Sequence, residues 1–317
     1  MQYNLTCKVC EKQFDKLGSL HKHLKQHNYF LADYYVEFYQ KRNKLTGNLL
    51  PFKNVETYFE RDFLNRSQLN QWIQDAKEEE AKQYIRELIV SRVKNKNRDF
   101  LPFHLEIENC FLPKIDLIRK YFGSYSNLSK EVGLDILFDK PLAKDFFTTK
   151  LPSDLEILVD TREQKPLAFD FKCKDYKLAF GDYVLAGDYY NYTYVDRKSG
   201  TDFCGTLGKA NLERFKRELE LTKQMNAFMF IVVESSVEKI IKENKAFKRK
   251  VSMDYILKNL RDITYEFPRN CQFVFTSTRK NSEYLIPRIL YFGQKIWRTD
   301  LQYFIDHELA RRQSEKK

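Results

Sequence analysis

Alternation of apolar and polar residues is clearest between Ile157 and Asp202. Three short runs lie there: Ile157 to Glu163, Phe180 to Val184 and Tyr194 to Lys198. Each is rich in β-branched and aromatic residues, with Gly, Asn, Asp and Pro between them, so the pattern predicts three strands. Ala227 to Val233 is a continuous apolar run suited to a buried parallel strand, and Cys271 to Phe275 is a further strand. Helical spacing fills the intervals. Leu207 to Met225 places Leu212, Phe215, Leu219 and Thr222 in phase; Ser236 to Lys250, Ser252 to Ile263, Pro287 to Trp297 and Asp300 to Ala310 also read as helices. Strands that alternate with helices over residues 151–317 predict an α/β domain.

The preceding half reads as helical. Phe30, Tyr34 and Phe38 fit the buried stripe of one helix. A long helix is predicted from Ser67, with Leu69, Trp72, Ile73, Ala76, Ile85, Leu88 and Ile89 roughly in phase and Glu78 to Glu80 on a solvated face. The basic run Arg92 to Arg98 closes it, which suits the negative end of a helix dipole and also suits phosphate contact. Pro113 to Leu134 predicts two short helices broken at Gly123-Ser124, the helical-hairpin geometry of many DNA-binding modules. Asp139 to Pro152, flanked by prolines and poorly periodic, reads as a linker. The expected division is 1–28, 29–140 and 151–317.

Charge adds a partner to this picture. The chain has 55 Lys+Arg against 44 Asp+Glu, a formal charge of +11. An excess of that size favours a polyanion, because each phosphate that is neutralised releases condensed counterions. Hydrophobic residues make up 43% of the chain, enough for real cores. No signal peptide and no 18-residue apolar run is evident, so the expectation is a soluble intracellular protein without a membrane partner. Cys110, Cys173, Cys204 and Cys271 are expected to be buried thiols, and His104 and His307 are assigned no role.

Cys7 and Cys10 are followed by Phe14, Leu20, His23 and His27, in the spacing Cys-x2-Cys-x3-Phe-x5-Leu-x2-His-x3-His. Two thiolates on a hairpin and two imidazoles a helical turn apart suit tetrahedral Zn²⁺. His21 lies on another helix face and is left out of the ligand set. The stretch resembles a C2H2 zinc finger of ββα form. That resemblance puts Lys16, Ser19 and Lys22 at the three base-contacting positions, which cover about 3 bp. Single fingers also bind RNA or protein, so the finger orients the chain on a target without addressing it uniquely.

An acid two residues before a lysine is uninformative here, since Glu80/Lys82, Glu163/Lys165, Asp170/Lys172, Asp175/Lys177 and Glu243/Lys245 all fit. Asp196 and Lys198 stand out by context. A strand ending in Asp160-Thr161-Arg162-Glu163 and the pair Gly181-Asp182 precede them, and Asp202 follows four residues after the lysine. Side chains two apart share a strand face, so Asp196 and Lys198 point the same way. Acids that converge at strand ends suit a hard cation such as Mg²⁺ or Mn²⁺.

Val-Asp-x-Arg-Glu, then Gly-Asp, then acid-Arg-Lys-x3-Asp resemble the nuclease domain of the XPF family of structure-specific endonucleases, over residues 155 to about 300. The resemblance implies a restriction-endonuclease-like fold with a mixed central sheet. It also implies functional roles for Asp160, Arg162, Glu163, Asp182, Asp196, Arg197, Lys198 and Asp202. Asp160, Asp182 and Asp196 would hold the cation. Lys198, its pKa lowered by burial, would hold the attacking water and the scissile phosphate. Arg162 and Arg197 would clamp phosphate, and Glu163 and Asp202 would orient the others. A homodimer or heterodimer through this domain is implied too. Two departures stand: the family has Glu where this chain has Asp196, and no tandem helix-hairpin-helix module follows, which assigns targeting to residues 1–140. Tyr121 to Tyr125 and Glu131 to Leu134 also resemble a small repeat of homing endonucleases, with Tyr where that repeat has Trp.

The sequence thus predicts a metal-dependent endonuclease of branched or flapped DNA, acting in repair or recombination. A site-specific homing-type enzyme and a non-catalytic DNA-binding protein that retains the fold are the alternatives. Localisation follows the host: a nucleus if eukaryotic, otherwise the cytoplasm of a bacterium or an infected cell.

Overall fold

A computed structural model describes residues 5–246 and 252–314. They form two compact units, one built from the chain up to Pro102 with Ile107–Ile136, the other from Phe103–Glu106 with the chain from Leu137 on.

The first unit is helical, with α1 (Leu17–Leu24), α2 (Leu31–Phe38), α3 (Val55–Glu60), α4 (Arg66–Asp75) and α5 (Glu78–Asn95) in order. The Cys/His segment is not freestanding within this unit. Cys7, Leu20 and Leu24 share one core with Tyr34, Tyr35, Leu50, Val55 and Tyr58, and the Lys8 N–H donates to the Tyr34 hydroxyl at 2.8 Å. The expected α2 stripe is shifted. Tyr34 and Tyr35 are buried, whereas Phe30 occupies the extended residue before the first turn and is 79% exposed. The single helix expected from Ser67 is two. Ala76 and Lys77 are extended, and Glu78, Glu79 and Glu80 make the first turn of α5, where the dipole favours acids. After α6 (His104–Glu108), α7 (Ile115–Phe122) and α8 (Tyr125–Val132) form the expected hairpin. Gly123 turns the chain at φ +73°, and the Ser124 hydroxyl caps α8 by accepting from the Asn127 N–H.

The second unit is built on a six-stranded mixed sheet: β1 (Glu156–Asp160), β2 (Lys172–Tyr176), β3 (Tyr183–Leu185), β4 (Thr193–Lys198), β5 (Phe228–Val233) and β6 (Cys271–Phe275), in spatial order β2-β1-β3-β4-β5-β6. Only β3 runs against its neighbours. β2 was not expected, because every one of its residues is exposed and it has no apolar alternation; Cys173 therefore lies in the open rather than in a core. On one sheet face Ile157, Val159, Tyr183, Val195, Phe230 and Val232 join the core made with α13 (Arg279–Phe292) and α14 (Leu301–Ser314). The helices α9 (Gly200–Thr206), α10 (Leu212–Gln224), α11 (Val237–Ala246) and α12 (Met253–Glu266) complete the unit.

Several boundaries moved. The helix expected from Leu207 to Met225 starts only at Leu212, as α10, and the shorter α9 ends just before Leu207. α13 starts well before Pro287, because the Thr278 side chain caps it by accepting from the Asn281 N–H. Asp139 to Pro152 is no loose linker: Phe146 and Leu151 are buried in the second unit's core, and the Tyr284 hydroxyl donates to the Phe147 carbonyl. Leu301 and Ile305 belong to that same core, so much of the α14 stripe is used within the chain. The helix expected from Ser236 to Lys250 is α11 as far as Ala246, and its remaining residues, 247–250, lie outside the described residues. No helix among the described residues is long and apolar enough to cross a membrane.

Candidate active site

Sheet register brings the aspartates together. Val159 pairs with Tyr183, and Tyr183 pairs with Val195. The next residue on each strand is Asp160, Asp182 and Asp196. The Asp160 N–H donates to the Asp182 carbonyl at 2.8 Å, and the Asp182 N–H to the Val195 carbonyl at 2.8 Å. Three acids therefore stand in one row across β1, β3 and β4, on the face opposite Val159, Tyr183 and Val195. Gly181 permits the entry to β3. Its φ is +67°, and a Cβ there would lie 3.1 Å from the Val195 carbonyl oxygen.

The three acids have different surroundings. Asp160 Oδ1 accepts from the Arg162 N–H and Nε at 2.8 and 2.6 Å, and Oδ2 accepts from Arg162 Nη2 and the Leu178 N–H at 3.0 and 2.8 Å. Four donors occupy its lone pairs. Burial pushes its pKa up, but these bonds win and the net shift is downward. Asp182 accepts the Arg197 N–H at 2.7 Å. Burial first, then the charge of Asp196, raise its pKa to about 8. Asp196 is 4% exposed; its Oδ1 takes the Lys198 ammonium at 2.7 Å, and its Oδ2 is buried with no hydrogen-bond partner. A buried, unpartnered carboxylate oxygen beside a second buried acid fits a hard divalent cation.

Lys198 departs from expectation. Burial does pull its pKa down, but Asp196 and Asp182 more than compensate, so the net shift is upward. Arg197 points to the other side of the sheet. It is 10% exposed there, bonded to both Glu163 oxygens at 2.9 and 3.0 Å and to Glu234 at 3.1 Å. Arg279 adds a contact to Glu234 at 3.2 Å. Glu163 is thus a partner of Arg197, with a pKa that burial raises but the guanidinium lowers further. Arg162 remains 63% exposed at its side chain while holding Asp160. Asp202 is engaged with the start of α9: the Ser199 hydroxyl donates to its carboxylate at 2.7 Å and accepts its N–H at 3.1 Å.

Two acids were missed in the sequence. Glu234 follows the apolar run of β5 directly, so its place at the same strand-end edge was legible. Glu218 gave no such signal. It lies beside the buried Phe215, Leu219 and Thr222 on α10, and its Oε1 accepts the Gly181 N–H at 3.3 Å. Burial and the charge of Asp196 raise its pKa.

In the first unit, ligand atoms of Cys7, Cys10, His23 and His27 all lie within 4.8 Å of one another. Cys10 Sγ is 3.2 Å from His23 Nε2 and 3.3 Å from His27 Nε2, and the two imidazole nitrogens are 3.1 Å apart. Their closeness suits one tetrahedral ion, and Gln26 meets the far nitrogen of His23 at 2.8 Å, as an orienting partner would. His21 is turned away to the Tyr35 hydroxyl at 3.1 Å. Lys16, Ser19 and Lys22 are exposed at the start and along one side of α1.

Residues 159–289 match the ERCC4 domain. That segment, a nuclease domain of the XPF family, contains Asp160, Asp182, Asp196, Lys198 and Asp202, in agreement with the resemblance drawn from the motifs. Among solved structures, XPF from Aeropyrum pernix in complex with DNA is 16% identical, with 43% of this chain and 63% of that chain covered and a TM-score of 0.33. XPF from Aeropyrum pernix alone is 17% identical, with 44% and 67% covered and a TM-score of 0.34. The chain therefore spans less than two thirds of the first of these. No curated protein matches the chain.

Proposed function

We propose that the protein is a divalent-metal-dependent DNA endonuclease that prefers branched or flapped DNA, with a zinc finger assisting its targeting. The observation that carries this reading is the row Asp160, Asp182 and Asp196, with Lys198 bonded to the last. Asp182 and Asp196 would hold Mg²⁺ or Mn²⁺ through oxygen, and the ion when bound supplies Lewis-acid stabilisation of the phosphate and its nucleophile. Asp160, saturated by Arg162 and Leu178, fixes the turn after β1. Lys198 keeps its proton and donates to the phosphate or to the incoming water from a position set by Asp196. Arg162, exposed, offers its guanidinium edge to a phosphate. Arg197 and Glu163 hold the strand ends from the opposite face. In the first unit, Cys7, Cys10, His23 and His27 would hold Zn²⁺, and Lys16, Ser19 and Lys22 would face nucleic acid.

The test compares flaps, forks and random linear duplex with Mg²⁺ present. Junction preference independent of sequence is the expected result; cleavage at one sequence in linear duplex would replace this reading with the site-specific one, which the α7–α8 hairpin favours. Lys198→Ala should retain DNA binding and lose cleavage by about a hundredfold or more. Unchanged cleavage would remove Lys198 from the site, and absence of cleavage by the unmodified protein on every substrate would leave only a binding role.

A further inference from the structure

Glu218 belongs to none of the motifs that mark the site, yet the fold carries its carboxylate there. Phe215, Leu219 and Thr222 are the buried residues of the middle of α10, and Glu218 lies next to that stripe. Its Oε1 accepts the N–H of Gly181, the residue before Asp182. It senses the charges of Asp196, Lys198 and Arg162. The neighbouring cations are committed elsewhere: Lys198 to Asp196, and Arg162 to Asp160 and the Leu178 carbonyl. A helix needing only a polar residue at this position gains nothing from another acid beside two half-buried or buried aspartates, since like charges in a poorly solvated site repel. Within the same cluster, Asp196 Oδ2 is buried without a partner. An acid too many and an orphaned carboxylate oxygen both call for positive charge.

We propose that Glu218 is part of the cation site, lending its carboxylate to the divalent ion held by Asp182 and Asp196. The inference rests on the cation-dependent reading given above. Glu218→Gln is the discriminating variant, because its amide oxygen still accepts the Gly181 N–H while the charge is gone. The zinc-loaded full chain is titrated with Mn²⁺, and the free ion is followed by its paramagnetic resonance. Thermal melting without Mn²⁺ is measured alongside. Glu218→Gln should weaken Mn²⁺ binding about ten- to a hundredfold and leave the cation-free melting temperature unchanged or higher. Wild-type Mn²⁺ affinity in Glu218→Gln, together with loss of binding in Asp196→Asn, would overturn this inference alone. Mn²⁺ binding that survives Asp196→Asn, or is absent from the unmodified chain, would overturn the underlying site reading as well. A Glu218→Gln variant that melts lower without Mn²⁺ would assign the residue a structural role and reject the proposal.

Discussion

Binding of a divalent cation at the aspartate row should expel protons, in an amount set chiefly by Asp182. With its pKa at about 8, this carboxyl is about 90% protonated at pH 7 and about 10% protonated at pH 9. A cation coordinated by the carboxylate must displace that proton. The unmodified protein should therefore release about 0.9 proton per Mn²⁺ at pH 7, with Glu218 adding in the same direction, and about 0.1 from Asp182 at pH 9. Isothermal titration in buffers of different ionisation enthalpy gives the number directly, as the slope of apparent heat against buffer enthalpy. Even a pKa one unit lower leaves about half a proton at pH 7. Release below about 0.3 proton in the unmodified protein, or the same release in Asp182→Asn, would refute the reasoning. The cation-free protein carries the complementary signature. Between 3.8, the ordinary value, and about 8 the folded state holds a proton that the unfolded state has lost. Stability should fall with rising pH over that window, by at most about 1.4 kcal/mol per unit, and level off above it. Asp182→Asn should lose that slope.

Other substitutions separate the roles of neighbouring residues. Arg197→Ala leaves Glu163 buried without its guanidinium and should cost about 3–5 kcal/mol, read as a lower melting temperature of the cation-free protein; activity loss at unchanged melting would instead place Arg197 against phosphate. Gly181→Ala forces a left-handed residue and a Cβ 3.1 Å from the Val195 carbonyl oxygen; a loss of about 1–3 kcal/mol is expected, with weaker Mn²⁺ binding as Asp182 shifts. Cys10→Ser should lose bound zinc, measured by atomic absorption, and loosen the core shared by Leu20, Leu24 and Tyr34; full retention of zinc would reject the four-ligand site.

The parts of this fold that were legible in sequence are those where local pattern and tertiary demand agree. β5 and β6 are buried on both faces and read as apolar runs; Gly123-Ser124 and the Cys/His spacing carry their own turn and ligand chemistry. β2 failed that agreement, since a fully exposed edge strand of Lys172, Cys173, Lys174, Asp175 and Tyr176 has nothing to alternate. The break at Ala76 and Lys77 was hidden because α4 and α5 keep similar apolar phases on either side of it. In the candidate site, Asp160, Asp182, Asp196 and Lys198 were singled out through their words and order, and the register sets the three aspartates in one row. Their inequality was not legible, because lone-pair saturation of Asp160 depends on the Leu178 N–H, distant in sequence. Glu218 was invisible for the same reason: its significance arises from the register that puts Gly181 under α10.

Asp196, Arg197 and Lys198 show why proximity in sequence misleads about chemistry. One residue along a strand reverses the face, so Arg197 cannot join its two neighbours without breaking the ladder. Its position on the other face has a use. Arg197 reaches Glu163, which follows β1, and Glu234, which follows β5, while Arg279 at the start of α13 takes Glu234 from the far side. This network ties together the ends of β1, β4 and β5, the first two of which carry acids on the opposite face. Adjacent acids in a sheet row repel once both are ionised, so above the pKa of Asp182, about 8, a cation-free row would tend to splay β1, β3 and β4 apart. A buried guanidinium on β4, bonded to carboxylates that follow β1 and β5, resists the splaying of β1 from β4, since releasing it would leave those charges unpaired. The charge-balanced face thus helps to hold the acid-bearing face in register, as the proposed cation site requires.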